Sequence, residues 1–74
     1  MGRVMDITAI LNESTGLFDI LGVDDEGTHA LPGGIKLQAS RLKEANNRIM
    51  LAAEQLYGLG FNVKPVKLKV PKGG

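Results

Sequence analysis

Cysteine and tryptophan are absent from this chain of 74 residues, and it holds one histidine, one tyrosine and two phenylalanines. Without cysteine there is no disulfide and no thiolate zinc site, and a lone imidazole is too little for a histidine-built one. A nucleophilic triad is equally short of parts, because His29 is the only imidazole that could serve as its base. No stretch approaches the roughly 20 apolar residues of a membrane span. The chain does not open on a basic segment with an apolar run and a small-residue cleavage site. The GxxxxGK[ST] pattern of a phosphate-binding loop is missing as well. These absences point to a soluble, cytoplasmic, non-catalytic protein with no cofactor, no metal and no membrane partner.

What is present is the composition of a globular chain. Hydrophobic residues make up 43% and charged residues 23%, with a mean hydropathy of +0.01, which argues against a disordered tail. A chain of this length buries roughly 60% of its unfolded surface, so residues 1–74 read as one small domain with a small core. The net charge of +1 conceals a polarity. Residues 1–34 carry Arg3 against Asp6, Glu13, Asp19, Asp24, Asp25 and Glu26, a net −5. Residues 35–74 carry Lys36, Arg41, Lys43, Arg48, Lys64, Lys67, Lys69 and Lys72 against Glu44 and Glu54, a net +6. Charges of opposite sign either neutralise one another inside the fold or give a dipole able to steer nucleic acid or favour head-to-tail stacking.

Along residues 4–11, Met5, Ile7, Ala9 and Leu11 alternate with Asp6 and Thr8, the period of a strand buried on one face. Asn12 to Gly16 is a turn cluster, and Leu17 to Val23 reads as a second strand closing a hairpin. Asp24-Asp25-Glu26-Gly27 is a further turn signal, followed by a short returning strand over Thr28 to Leu31 and a break at Pro32-Gly33-Gly34. From Ile35 to Tyr57 the period changes to that of a helix, with Ile35, Leu42, Ala45, Ile49, Ala52, Ala53 and Leu56 on one stripe. Gly58 and Gly60 mark its end near residue 58. Phe61 to Val70 reads as a last strand whose inward parity changes, which predicts a bulge or bend near Lys64-Pro65. The expected fold is α+β: a small sheet of three to four strands in the order β-β-(β)-α-β, with one long amphipathic helix packed on one face.

Leu37 and Leu51 fall off the helical stripe, on the outer side with Glu44 and Arg48, and are the candidate partner contacts. Lys67 and Lys69 share one face of the last strand. With Lys64 and Lys72 they are candidate contacts for an anion or nucleic acid, although lysines also protect a sheet edge from aggregation. Asp24, Asp25 and Glu26 are adjacent rather than alternating, which suits a solvated turn better than a calcium loop. Gly33 and Gly34 before Lys36 could aim helix-opening amides at an anion, or simply start the helix.

Two stretches resemble the amino-terminal region of the magnesium-chelatase-like ATPases. Ile7 to Leu11 and Thr15 to Val23 are similar to that family's strand, Gly-Leu turn and second strand. Leu42-Lys43-Glu44-Ala45, Arg48-Ile49, Ala52, Gly60-Phe61 and Val66 to Pro71 are similar to its helix and following strand. The match covers roughly two thirds of the chain by elements. It departs from the family around Asp24 to Gly34, where about ten residues are extra, and in lacking the Ala-Pro-Ala-Asp run after the last strand. The resemblance implies an accessory region that supports a ring-forming ATPase without carrying its chemistry, and no ATP-binding residue is carried over. Two other classes fit the residues. One is a small subunit of a multi-copy assembly, such as a phage structural protein. The other is a carrier of the ubiquitin-like or sulfur-carrier kind, suggested by Lys72-Gly73-Gly74. A protein partner or self-association is expected in the first two.

Overall fold

The computed structural model describes residues 4–69. Strands β1 (Met5–Asn12) and β2 (Leu17–Asp24) form an antiparallel hairpin in which Ile7 faces Gly22 and Ala9 faces Ile20. Asn12 organises the turn. Its carbonyl accepts the Thr15 and Gly16 amides at 3.2 and 2.8 Å, and its side-chain oxygen accepts the Ser14 amide at 3.0 Å. Gly16 then leaves the turn at φ 73°, a conformation that a side chain would resist.

Strand β3 (Gly27–His29) returns antiparallel along the other edge of β2, and the two-residue β4 (Gln38–Ala39) joins that same edge beside Phe18 and Asp19. Helix α1 (Leu42–Gly58) crosses to β5 (Val63–Pro65), which pairs parallel with β1. The sheet is therefore mixed and five-stranded, in the order β3-β2-β1-β5 with β4 off the path on β2. The α+β class with a single packed helix holds among the described residues, and β4 is the strand that sequence periodicity hides.

Odd positions of β1 and even positions of β2 turn toward the helix. Ile7, Ala9 and Ile20 meet Ala45, Ile49, Ala52, Ala53 and Leu56 in one buried cluster, completed by Leu31 and Ala39. Gly22 is buried on this face, and a Cβ there would land on the Met5 thioether. Among the described residues, no helix covers the sheet's outer face.

Three expectations are corrected. The helix begins at Leu42 rather than Ile35. Gly33 and Gly34 both take positive φ, Ile35 is extended, and the Leu37 carbonyl accepts the Ile20 amide at 3.1 Å. Residues 35–39 are drawn to the open edge of β2, where sheet hydrogen bonds and burial of Ala39 outweigh the good helix propensity of Lys36, Leu37, Gln38 and Ala39. The third strand spans Gly27–His29, and Leu31 leaves the sheet to enter the core. The last strand is only Val63–Pro65. Its change of parity is absorbed by ending the ladder at Pro65, after which residues 66–69 run without regular structure. Val70 and Lys72-Gly73-Gly74 lie outside the described residues.

Candidate functional site

Lys67 and Lys69 belong to the segment after β5 that meets the helix at Asn46. Asn46 holds the segment after β5: its Oδ1 accepts the Leu68 amide at 2.7 Å and its Nδ2 donates to the Leu68 carbonyl at 3.0 Å. A side-chain amide thus replaces the strand partner that Leu68 lacks, and the Leu68 side chain packs against the core. Lys67 and Lys69 flank this anchor and are exposed, and Lys43 lies one turn before Asn46 on the same helix face. Lys64 stands opposite Asp6 on the uncovered face of the sheet. Lys72, the fourth lysine of this group in the sequence, is outside the described residues.

The acidic groups collect at the β2–β3 turn. Asp24 Oδ1 accepts the Glu26 amide at 2.8 Å, and His29 Nε2 lies 2.9 Å from the same oxygen. Asp25 is exposed beside them. Ligand atoms of Asp24, Glu26 and His29 lie within 4.8 Å of one another, a mixed set of one imidazole and two carboxylates. Counting adjacent acids misses this grouping, because the hairpin register brings His29 in and leaves Asp25 out; the spacing Asp-x-Glu-x-x-His across a tight turn is its sequence signal.

A third surface follows the helix end. The Gly60 amide donates to Tyr57 and the Phe61 amide to Leu56, both at 3.0 Å, with Gly60 at φ 94°. This paired arrangement is the Schellman motif, which satisfies the last carbonyls and turns the chain sharply. It leaves Tyr57, Leu59 and Phe61 at 76%, 64% and 42% exposure, so two of the three aromatics of the chain face solvent within five residues. Sequence reasoning passed over these residues because Phe61 fits a strand and Tyr57 ends the helical pattern.

Leu51 is 37% exposed on α1. Leu37 is not on the helix at all. It is half-buried in the extended segment before β4 and packs against the core, so the two leucines do not form one line on a helix. Lys36 does not follow a helix-opening glycine pair either, since α1 starts at Leu42; it lines a cavity of about 370 Å³ with Asp19, Ile20, Leu31 and Ile35, opened where the chain between β3 and β4 loops away from β2. Asp19 in that cavity is engaged by Gln38 Nε2 at 2.8 Å and Asn12 Nδ2 at 3.3 Å. Among the described residues no helix is long and apolar enough to cross a membrane. No family model, no curated protein and no solved structure matches the chain.

Proposed function

We propose that the chain is a non-catalytic binding and assembly domain. The observation that carries this reading is the aromatic turn at the end of α1, where Tyr57, Leu59 and Phe61 present apolar surface that the chain's own core does not cover. Large aromatic side chains held by a hydrogen-bonded turn lose little conformational entropy on docking, which suits them to anchor a protein contact. The resemblance to the accessory region of magnesium-chelatase-like ring ATPases, carried by the sequence motifs alone, belongs to this proposal. The alternative of a subunit repeated in an assembly is favoured by the separation of charge between the two edges of the sheet.

The test is photo-crosslinking in cells expressing the full chain, with a benzoylphenylalanine in place of Tyr57. A discrete protein adduct is expected, and Leu59→Ser in the same chain should remove it. An adduct pattern no different from that of the probe placed at exposed Asn47 would overturn the reading.

A further inference from the structure

The two short strands on the free edge of β2 are out of step with each other. β3 pairs His29 with Gly22, and β4 pairs Gln38 with Asp19. Between those pairs β2 advances by two residues, Ile20 and Leu21, while the facing chain takes eight, residues 30–37. The Pro32–Gly34 turn carries the excess outward, with Gly33 and Gly34 at φ 76° and 74°. What remains in the edge of the sheet is the cavity of about 370 Å³, at the lower end of the size range of small-molecule sites.

The floor of this cavity is apolar. Ile20 and Leu31 are buried in the core, and Ile35 and Leu37 pack against it. The rim carries two charges of opposite sign, Lys36 and Asp19. Both stand on the outer side of the sheet: Ile35, Leu37 and Ala39 turn to the core, so Lys36 and Gln38 turn away from it, and the Gln38 amide meets Asp19 there. On a regular ladder Lys36 is the diagonal neighbour of Asp19, about 7–8 Å away by backbone spacing. The ion pairs between described residues are His29 with Asp24 and Arg48 with Glu44, so Lys36 and Asp19 do not pair with each other. Gln38 Nε2 and Asn12 Nδ2 fix the Asp19 carboxylate and take about half of the acceptor sites of its two oxygens.

We infer that the cavity binds a free apolar α-amino acid, its side chain on Ile20, Leu31, Ile35 and Leu37, its carboxylate on Lys36 and its ammonium on Asp19. The ligand class follows from the lining. A fatty acid would bring its carboxylate beside Asp19, and a plain amine would bring its charge beside Lys36. A nucleotide would set phosphate charge next to Asp19 and find no aromatic side chain among the lining residues to stack on. A zwitterion with an apolar tail satisfies both charges, and about ten non-hydrogen atoms suit the volume. Its two charged groups sit on one carbon, and the flexible lysine stem closes the rest of the span. The site is separate from the aromatic turn at Tyr57 and goes beyond the binding and assembly reading.

The test is titration of the isotope-labelled full chain near neutral pH, followed by amide chemical shifts. Three probes are compared: L-leucine, isocaproate, which lacks the ammonium, and isopentylamine, which lacks the carboxylate. Leucine should give saturable shifts at Ile20, Leu31 and Lys36 with a Kd of about 1 mM or tighter, the range open to so small a ligand. Each analogue should bind at least about tenfold more weakly, because a charged hydrogen bond is lost and its protein partner is left without one. Lys36→Gln should weaken leucine and isocaproate and leave isopentylamine unchanged; Asp19→Asn should weaken leucine and isopentylamine and leave isocaproate unchanged. Circular dichroism shows whether each variant is folded. If Asp19→Asn is not, Lys36→Gln at its exposed position decides alone. No saturable shift with leucine at about 10 mM, leucine binding no tighter than both analogues, or unaltered leucine binding by Lys36→Gln overturns the inference. Crosslinking at Tyr57 is read separately, so either reading can fail while the other stands.

Discussion

Asn46 shows how one polar side chain in a helix can take over the work of a strand. The segment after Pro65 has no sheet neighbour, yet Leu68 turns inward and its amide and carbonyl both need partners. Asparagine supplies a donor and an acceptor from one group, and these meet the C=O and N–H of the single residue Leu68. Asn46→Ala should cost about 1–3 kcal/mol, the usual penalty for removing a partner from hydrogen-bonded backbone. Its signature is local: amide exchange at Leu68 should accelerate far more than exchange at Ile49. Equal protection of Leu68 in the variant would show that the clamp contributes nothing. Gly22 is a second residue-scale device, since its missing side chain is the space that Met5 fills beside Ile7.

At the scale of the element, α1 is bounded by two different mechanisms. Its start has no side-chain cap: Arg41 is extended, at φ −128°, and no cap hydrogen bond forms. What sets the start is the pull of residues 37–39 onto β2, so the boundary is a tertiary effect. Its end is local, through Gly60 at φ 94° and the amides of Gly60 and Phe61. Gly60→Ala forces a side chain into the left-handed region and should destabilise by about 1–2 kcal/mol. Nothing lies within 4 Å of an added Cβ there, so the cost is conformational rather than steric. Chemical denaturation reads it, and a melting curve unchanged from wild type would mean that the turn relaxes to another conformation. The same substitution should reduce Tyr57 crosslinking, because the turn also sets the display of Leu59 and Phe61.

For the whole molecule, the ten buried hydrophobic residues among those described form one cluster spanning β1, β2, β4, the loop at Leu31 and α1. A single core should give a single transition. Ile49→Ala, at a fully buried position facing the sheet, should cost about 2–5 kcal/mol. Helix ellipticity and sheet amide protection should be lost together at the same lowered midpoint. Helix loss preceding sheet loss would show that α1 and the hairpin are separately stable. The same scale holds the charge polarity: each half of the sequence is strongly charged, but only the strand order decides that the acidic turn and the basic segment lie at opposite edges rather than side by side.

The hairpin, the inward residues Ile7 and Ala9, and the stripe from Leu42 to Leu56 are legible in the sequence, because alternation by two and recurrence near 3.6 are local consequences of strand and helix geometry. So are the turn at Asn12 to Gly16 and the stop after Gly58, where residue type and backbone angle are linked directly. The placement of Ile35 to Ala39, the length of β5, the meeting of Asp24 with His29 and the exposure of Tyr57, Leu59 and Phe61 were decided only in three dimensions. In residues 35–39 a free strand edge competed with an apolar pattern that suits a helix equally well, and hydrogen bonds to β2 prevailed. Periodicity records which residues avoid water; it carries no information about which distant backbone or side chain they meet, and that pairing is what tertiary structure settles.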